Sequence, residues 1–350
     1  MYKPVFTITP DILNAIGEIS GIKTMVESSR VLPLNEAQLK RQAMIRMVHT
    51  STSIEGNKLA EFQVDKVLSG MSISADQRSI QEVKNYQEAI KEVEKMAEEP
   101  GHLTIKKILD LHKILMKGLL PAEKQGAWRT GSIYVVDDLG DGREQLRYEG
   151  PPAEKVVYLI NELLTWLQQS EKDKLHPIIR AGIFHLQFVS IHPFPDGNGR
   201  ITRLLTQYIL YKAGWDFRKI IVLEDFYNTD RQEYYNAENE IQGQKYHEGQ
   251  DMTNWLDYFV LGFLVEARKV RDGIKSVGFN KTDAQSQVFL DKDEIQIMDF
   301  LSTTGQVTSQ DVVEILKIAK RTSQLKLKNL VEKKLIKMEG KGPASYYTLA

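Results

Sequence analysis

No cysteine occurs among the 350 residues. Disulfides and thiolate-bound metals are therefore excluded, and the composition fits a reducing compartment. Long apolar runs are missing as well: no window approaches the roughly 20 apolar residues that cross a bilayer. The first ten residues, Met-Tyr-Lys-Pro-Val-Phe-Thr-Ile-Thr-Pro, hold no apolar stretch of the signal-peptide kind. An excess of one charge is also absent. The chain has 46 Lys and Arg against 47 Asp and Glu, a net −1 at pH 7, so neither nucleic acid nor a membrane surface is indicated as the main partner. No internal repeat or low-complexity tract is present. The expectation left by these absences is a soluble, cytoplasmic protein of two or three domains, long enough to bury a sizeable core.

What is present is mostly helix. Asn35 with Gln38 three residues on reads as a capping box. Leu39, Ala43, Met47 and Ile54 then recur on one face, and Gly56 offers the left-handed residue that ends a helix. Residues 76–97 and 103–119 predict two more amphipathic helices, separated by the breaker Glu98-Glu99-Pro100-Gly101. Residues 126–152 depart from this pattern. Ser132-Ile133-Tyr134-Val135-Val136 is β-branched and aromatic, Asp137 to Gly142 is turn-rich, and 144–148 reads as a returning strand, so a β-hairpin is expected inside a helical protein. Helices follow at 153–169, 175–190, 199–213 and 253–275. The second of these is apolar around most of its surface and is expected to be the buried central helix.

Function concentrates in residues 192–203, His-Pro-Phe-Pro-Asp-Gly-Asn-Gly-Arg-Ile-Thr-Arg. The glycines around Asn198 allow backbone N–H groups to converge on one point and an anion to approach closely. The helix that follows aims its positive end at the same point. Arg200 and Arg203, three residues apart, share a face and suit successive phosphates of one ligand. Asp196 is an anionic exception in basic surroundings, fit to hold a Mg²⁺ that bridges phosphates. His192 is the one group there with a pKa suited to general base work near neutrality. Phe194 is expected to pack down and fix the loop. From the residues alone, this is a phosphate-handling site with a histidine base.

The stretch resembles the signature of Fic-domain proteins, His-x-Phe-x-(Asp/Glu)-Gly-Asn-Gly-Arg-x-x-Arg, at every defined position. The likeness extends over about residues 45–260, including Gly126-x-x-Arg129, Pro151-Pro152, Tyr234-Tyr235 and Trp255-Leu256. It implies a Fic-fold helical core and transfer of AMP from ATP to a Ser, Thr or Tyr hydroxyl of a target protein, the chain itself included. By the resemblance His192 is the general base and Asp196 the Mg²⁺ ligand. Pro193, Phe194, Gly197, Asn198, Gly199, Arg200 and Arg203 form the ATP and phosphate site. Gly131, Ser132, Ile133 and Tyr134 are the flap that registers the target by strand pairing, and Tyr234 and Tyr235 border the adenine. The phosphorylating Doc branch carries Lys where this chain has Gly199, which favours adenylylation. Ser51-Thr52-Ser53-Ile54-Glu55-Gly56 resembles the family's inhibitory motif, (Ser/Thr)-x-x-x-Glu-(Gly/Asn). It implies that Glu55 pairs with Arg203 and takes the guanidinium away from the outer phosphate.

The expected division is an N-terminal helical region with the inhibitory motif (1–100), a Fic core (101–275), a linker (276–291) and a winged-helix domain (292–350). The last reads as helices 292–302, 308–317 and 321–334 followed by a small hairpin, 335–338 and 346–349, around Gly340-Lys341-Gly342-Pro343. Its 11 Lys and Arg against 9 Asp and Glu over 281–350 are a weak footprint for phosphate-dominated binding. Target docking or homodimerisation is therefore expected ahead of DNA binding. The rival readings are transfer of another phosphate-containing group or removal of AMP on the same fold, and a nucleotide-sensing DNA-binding regulator.

Overall fold

The structure is a computed structural model and describes residues 2–29, 31–138, 144–278, 290–340 and 345–350. In chain order, α1 (Pro10–Ser28), α2 (Pro33–Ile54), α3 (Glu61–Leu68), α4 (Gln77–Glu98) and α5 (Ile105–Leu115) precede the hairpin β1 (Tyr134–Asp138) and β2 (Glu144–Glu149). Then come α6 (Val156–Lys172), α7 (Pro177–Ile191), α8 (Asn198–Lys212), α9 (Leu223–Thr229), α10 (Arg231–Gln242) and α11 (Thr253–Gly278). Last are α12 (Lys292–Thr304), α13 (Ser309–Leu316), α14 (Lys320–Glu332), β3 (Ile336–Glu339) and β4 (Tyr346–Leu349). No described helix is long and apolar enough to cross a membrane.

The most apolar segment lies at the centre. Every residue of α7 from Ile178 to Ile191 is buried, and α8, α6 and α11 pack around it. Gly182 lets α11 approach closely: a Cβ there would lie 2.9 Å from Leu256 Cδ2 and 3.0 Å from Phe259 Cδ1. The Trp255 indole N–H donates to the Gly182 carbonyl at 2.8 Å, so the large ring is placed in the core with its polar atom satisfied. Because α7 is fixed on all sides, its C-terminal end is a rigid platform for the residues that follow.

Helix α2 begins two residues before the expected cap. Pro33 occupies its first position, where a fixed φ suits a helix start, and Asn35 lies inside the first turn. The far end agrees with expectation, since Gly56 takes φ +93 after Ile54. Helices α1, α3, α9 and α10 were not anticipated. The strands run 134–138 and 144–149 rather than from 132, and a bulge between Val135 and Val136 shifts the register. Ser132 and Ile133 form the approach instead, where the Gly150 N–H donates to the Ile133 carbonyl at 3.1 Å. Residues 139–143 of the expected tip, most of the expected linker (279–289) and residues 341–344 lie outside the described residues.

The C-terminal elements keep the expected order, three helices and then the antiparallel pair β3–β4. They enclose a second apolar core built on Ile297, Leu301, Val312, Leu327 and Leu330. Ala37 of α2 belongs to this second core.

Candidate active site

At the end of α7 the chain turns on His192, which is left-handed with φ 49 and ψ 58 while its N–H still reaches the Phe188 carbonyl at 3.2 Å. That conformation is uncommon for a residue with a Cβ. It folds the imidazole back so that Nδ1 lies 3.0 Å from the Val189 carbonyl. A carbonyl oxygen only accepts, so Nδ1 carries the proton and Nε2 keeps its lone pair. Burial holds the imidazole below its ordinary pKa, against the opposing pull of the Val189 carbonyl and Glu55. The ring is thus neutral near pH 7, with its basic nitrogen fixed.

The loop after His192 is held from within. Asn198 uses both ends of its amide on Phe194: Oδ1 accepts from the Phe194 N–H at 2.9 Å, and Nδ2 donates to the Phe194 carbonyl at 2.8 Å. Gly197, at φ +80, allows the turn into α8. The side chain of Asn198 therefore shapes the loop, and what the first turn of α8 can offer an anion is its backbone N–H groups, which lack helical partners. Pro193 and Phe194, expected among the phosphate contacts, are both buried. The Pro193 carbonyl accepts from the Arg129 N–H at 3.0 Å, and the Phe194 ring stacks on His112 at 3.7 Å with 7° between planes.

Sequence reading gave His112 no role, yet it bolts the loop to the core. Its Nδ1 accepts from the Gly126 N–H at 3.0 Å. Nε2 must then be the protonated nitrogen and donates to the Asp196 carbonyl at 3.1 Å. Both bonds require the neutral ring, and burial lowers its pKa to about 4. No local pattern announces this residue, because its partners lie 14 and 84 positions away.

Asp196 presents its carboxylate at the loop edge, with Oδ1 accepting from the Gly197 N–H at 2.5 Å and from Arg200 Nη2 at 3.1 Å. Oδ2 is 3.6 Å from Arg78 on α4. Arg200 is buried, also 3.6 Å from Glu82 of α4. Arg203 points the other way. Its Nε donates to Ser51 Oγ at 2.8 Å, and Nη2 donates to the Ser51 carbonyl at 3.0 Å and to Glu55 Oε1 at 2.8 Å. The expected pairing of Glu55 with Arg203 is thus present in the structure. Burial would raise the Glu55 carboxyl, but Arg203 and Arg200 overrule it and hold the group below the usual carboxylate range. The ion pair therefore persists through neutral pH. Gly199 makes room for it, since a Cβ there would lie 2.3 Å from Glu55 Oε1.

Arg129 joins the flap to this platform. Its Nε donates to the His192 carbonyl at 2.8 Å, Nη1 to the Gly131 carbonyl at 2.8 Å and Nη2 to the Pro151 carbonyl at 2.5 Å. Tyr148 of β2 adds a bond from its hydroxyl to the Ser190 carbonyl at 2.6 Å. The far side of β2 is also occupied, as the Glu149 N–H donates to the Gln244 carbonyl at 2.8 Å. The sheet gives β1 no second neighbour among the described residues. Gly131, Ser132 and Tyr134 are exposed, and Ile133 is partly covered.

Together these parts enclose a cleft of about 420 Å³, a size suited to a nucleotide-sized ligand, with His192, Gly199 and Arg203 on one wall and Ile133 to Val136 on the other. Tyr234 and Tyr235, expected at the adenine, both border it but differ in kind. Tyr234 is buried with its hydroxyl 3.0 Å from His185 Nε2, so it is floor. Tyr235 is partly exposed, donates to the Ile54 carbonyl at 3.2 Å and lies under the Arg147 guanidinium at 4.7 Å.

Residues 102–210 match the family model described as Fic/DOC family. Protein adenylyltransferase Fic of Drosophila mojavensis is 30% identical over 179 residues, which is 50% of this chain and 33% of that one. The protein of the same name from Drosophila virilis is 28% identical over 215 residues, 59% of this chain and 42% of its own. The chain thus spans a third to two-fifths of the length of these curated relatives. Among solved structures, a Fic family protein from Desulfovibrio desulfuricans superposes with TM-score 0.64 at 26% identity, covering 100% of this chain and 98% of that one. Fic-1 of C. elegans shares the fold, with TM-score 0.61 at 21% identity over 76% of this chain and 73% of its own. The matched region starts at residue 102 and so leaves out α2 and Glu55, although Glu55 borders the cleft.

Proposed function

We propose that this chain is a protein adenylyltransferase, moving AMP from ATP to a Ser, Thr or Tyr hydroxyl of a protein, with itself as one substrate. The observation that carries the reading is the imidazole of His192. Its Nδ1 proton is committed to the Val189 carbonyl at 3.0 Å, and its free Nε2 belongs to the same cleft as the amide loop, Arg203 and the flap. A site that only bound nucleotide would gain nothing from a half-buried, neutral base. The names of the curated relatives support the same reaction.

In the proposed step the acceptor oxygen bonds to the α-phosphorus, the bond from that phosphorus to its bridging oxygen breaks, and pyrophosphate leaves. The hydroxyl proton passes to His192 Nε2. First-turn N–H groups of α8 stabilise the charge on the phosphates, and Arg203 holds the outer one once Glu55 has left it. The exposed edge of β1 aligns an extended acceptor segment by strand pairing. A Mg²⁺ is consistent with the donors present. No group of three or more His, Asp or Glu capable of caging a metal occurs among the described residues, but Mg²⁺ is commonly held by one or two carboxylates together with substrate phosphates. Asp196, with Oδ2 no closer than 3.6 Å to Arg78, is the carboxylate that would hold it. When bound, the ion would neutralise phosphate charge.

In this reading the structure is the braked state, because Glu55 occupies the fork of Arg203. Incubation with α-labelled ATP and Mg²⁺ tests it. Weak self-labelling by the wild type, strong labelling by Glu55→Gly and none by Glu55→Gly/His192→Ala are expected. An AMP-sized mass on the acceptor fixes the group transferred. Equal labelling with and without His192 removes the base assignment.

A further inference from the structure

Helix α2 is one uninterrupted helix from Pro33 to Ile54, and its two ends serve different parts of the molecule. Its C-terminal turn carries Ser51 and leads into Glu55, the residues on Arg203. Its N-terminal half is built into the C-terminal unit. Ala37 is 4% exposed and is counted in the core of α12 to α14, with Leu34 packed against it. Lys40 pairs with Asp299 of α12 at 2.8 Å.

The contact at Arg41 is more specific. A helix C-terminus leaves carbonyls without partners and concentrates negative dipole charge. At the C-terminus of α12 the Thr303 carbonyl accepts from Arg41 Nη1 at 3.3 Å and from Gln87 Nε2 of α4 at 2.9 Å. Gly305 ends α12 at φ +79, and a Cβ there would lie 2.8 Å from the Arg41 guanidinium carbon. The end of α12 is therefore capped by the inhibitory helix and its neighbour, through a close approach that a glycine permits. Farther along, the two parts separate around a groove of about 670 Å³ bordered by Met44, Met47 and Phe300. The N-terminal half of α2 thus shares the C-terminal unit's apolar core, and the groove opens beyond it.

We propose that the C-terminal unit is the clamp of the brake: by gripping the N-terminal half of α2 it holds Glu55 on Arg203, and a partner that pulls the unit off α2 releases the enzyme. At 1.5 Å per residue, about 21 Å of continuous helix separates Ala37 from Ser51. A displacement at one end would therefore be delivered to the other, where Glu55 borders the catalytic cleft.

The proposal rests on the adenylyltransferase reading, and the test separates the two. Ala37→Glu places a charge in the shared core, and Asp299→Lys turns the ion pair with Lys40 into a like-charge contact while leaving both cores intact. Each is made in the full chain, alone and with Glu55→Gly. The expected result is self-labelling raised about fivefold or more over wild type by each single variant, with no further gain when Glu55→Gly is already present, since both act through one contact. Amides 51–57 should exchange faster with solvent in each single variant. Wild-type labelling and unchanged exchange at 51–57 in both variants, while Glu55→Gly is strongly labelled, would overturn the clamp. If Glu55→Gly is itself unlabelled, the adenylyltransferase reading fails, and faster exchange at 51–57 would still establish the mechanical link.

Discussion

His112 should make the fold sensitive to mild acid, in an amount the structure sets. The ring is fully buried and neutral, with Nδ1 accepting from Gly126 and Nε2–H donating to Asp196. Its pKa falls from 6.5 to about 4 on folding. The unfolded chain therefore binds a proton over the window in which the folded chain does not, and stability is lost as pH falls from about 6.5 toward 4. For those two values linkage gives a loss of about 2 kcal/mol at pH 5 relative to pH 7.5, rising to about 3.4 kcal/mol below pH 4. His112→Phe keeps a ring against Phe194 but leaves the Gly126 N–H and the Asp196 carbonyl unpaired, which costs about 2–5 kcal/mol at pH 7.5. The variant no longer titrates here, so the gap between the proteins should shrink by about 2 kcal/mol at pH 5. Urea unfolding at the two pH values, followed by fluorescence, measures it, since Trp128 lies 4.9 Å from Phe194. A gap of the same size at both pH values would refute the neutral, doubly bonded ring.

Three further outcomes are expected. Arg129→Lys cannot span the carbonyls of His192, Gly131 and Pro151, so self-labelling in a Glu55→Gly background should fall about tenfold or more with helix content unchanged; full activity would show that the flap needs no clamp. His192 must be neutral to accept a proton, and burial holds its pKa below 6.5. The rate should therefore stay flat from pH 8 to about 6.5 and decline only in more acid solution, and a half-maximal rate above pH 6.5 would contradict the assigned environment. Gly182→Ala forces a methyl against Leu256 and Phe259 at 2.9 and 3.0 Å and should cost about 1–3 kcal/mol in the urea midpoint; a neutral effect would mean that α7 and α11 are less tightly packed than described.

How much of this was legible in the sequence depends on the distance over which each feature acts. The central helix could be read because apolar residues nearly all round leave only a buried solution, and α7 is buried from Ile178 to Ile191. Glu55 and Arg203 could be paired from their motifs, although 148 positions separate them. Their chemistry is written in short local patterns. Phosphate contact could not be apportioned within the loop: closing so tight a turn uses the Asn198 amide on the Phe194 backbone, and the Pro193 carbonyl is taken by Arg129. Tyr234 and Tyr235 are adjacent, yet a helix sends their hydroxyls to different partners, one to His185 in the floor of the cleft and one to the Ile54 carbonyl. His112 and Arg129 act on backbone carbonyls and amides far along the chain, and backbone partners leave no residue type to recognise. The short α9 and the polar α10 escaped because neither carries an apolar stripe long enough to stand out.

In the proposed mechanism the position of Gly199 would tie regulation to catalysis. An anion can approach the start of α8 closely only where no side chain stands, and Gly199 provides that space. In the structure the same space is filled by the Glu55 carboxylate, 2.3 Å from where a Cβ would be. The proposed brake would therefore not be a separate lock beside the active site. Glu55 is an anion seated at an anion site, 2.8 Å from the guanidinium that an outer phosphate would use. A freely diffusing carboxylate would lose that competition to a triphosphate, which carries more charge and engages more N–H groups. Glu55 competes because it is tethered, and tethering raises its effective concentration only as far as α2 is held in place. The strength of inhibition is then set less by the ion pair than by what anchors the helix. On the proposed clamp, the contacts of Ala37 and Lys40 with the C-terminal unit, a whole helix away from the chemistry, would add to the packing of α2 in the main core in deciding whether the phosphate or the glutamate wins.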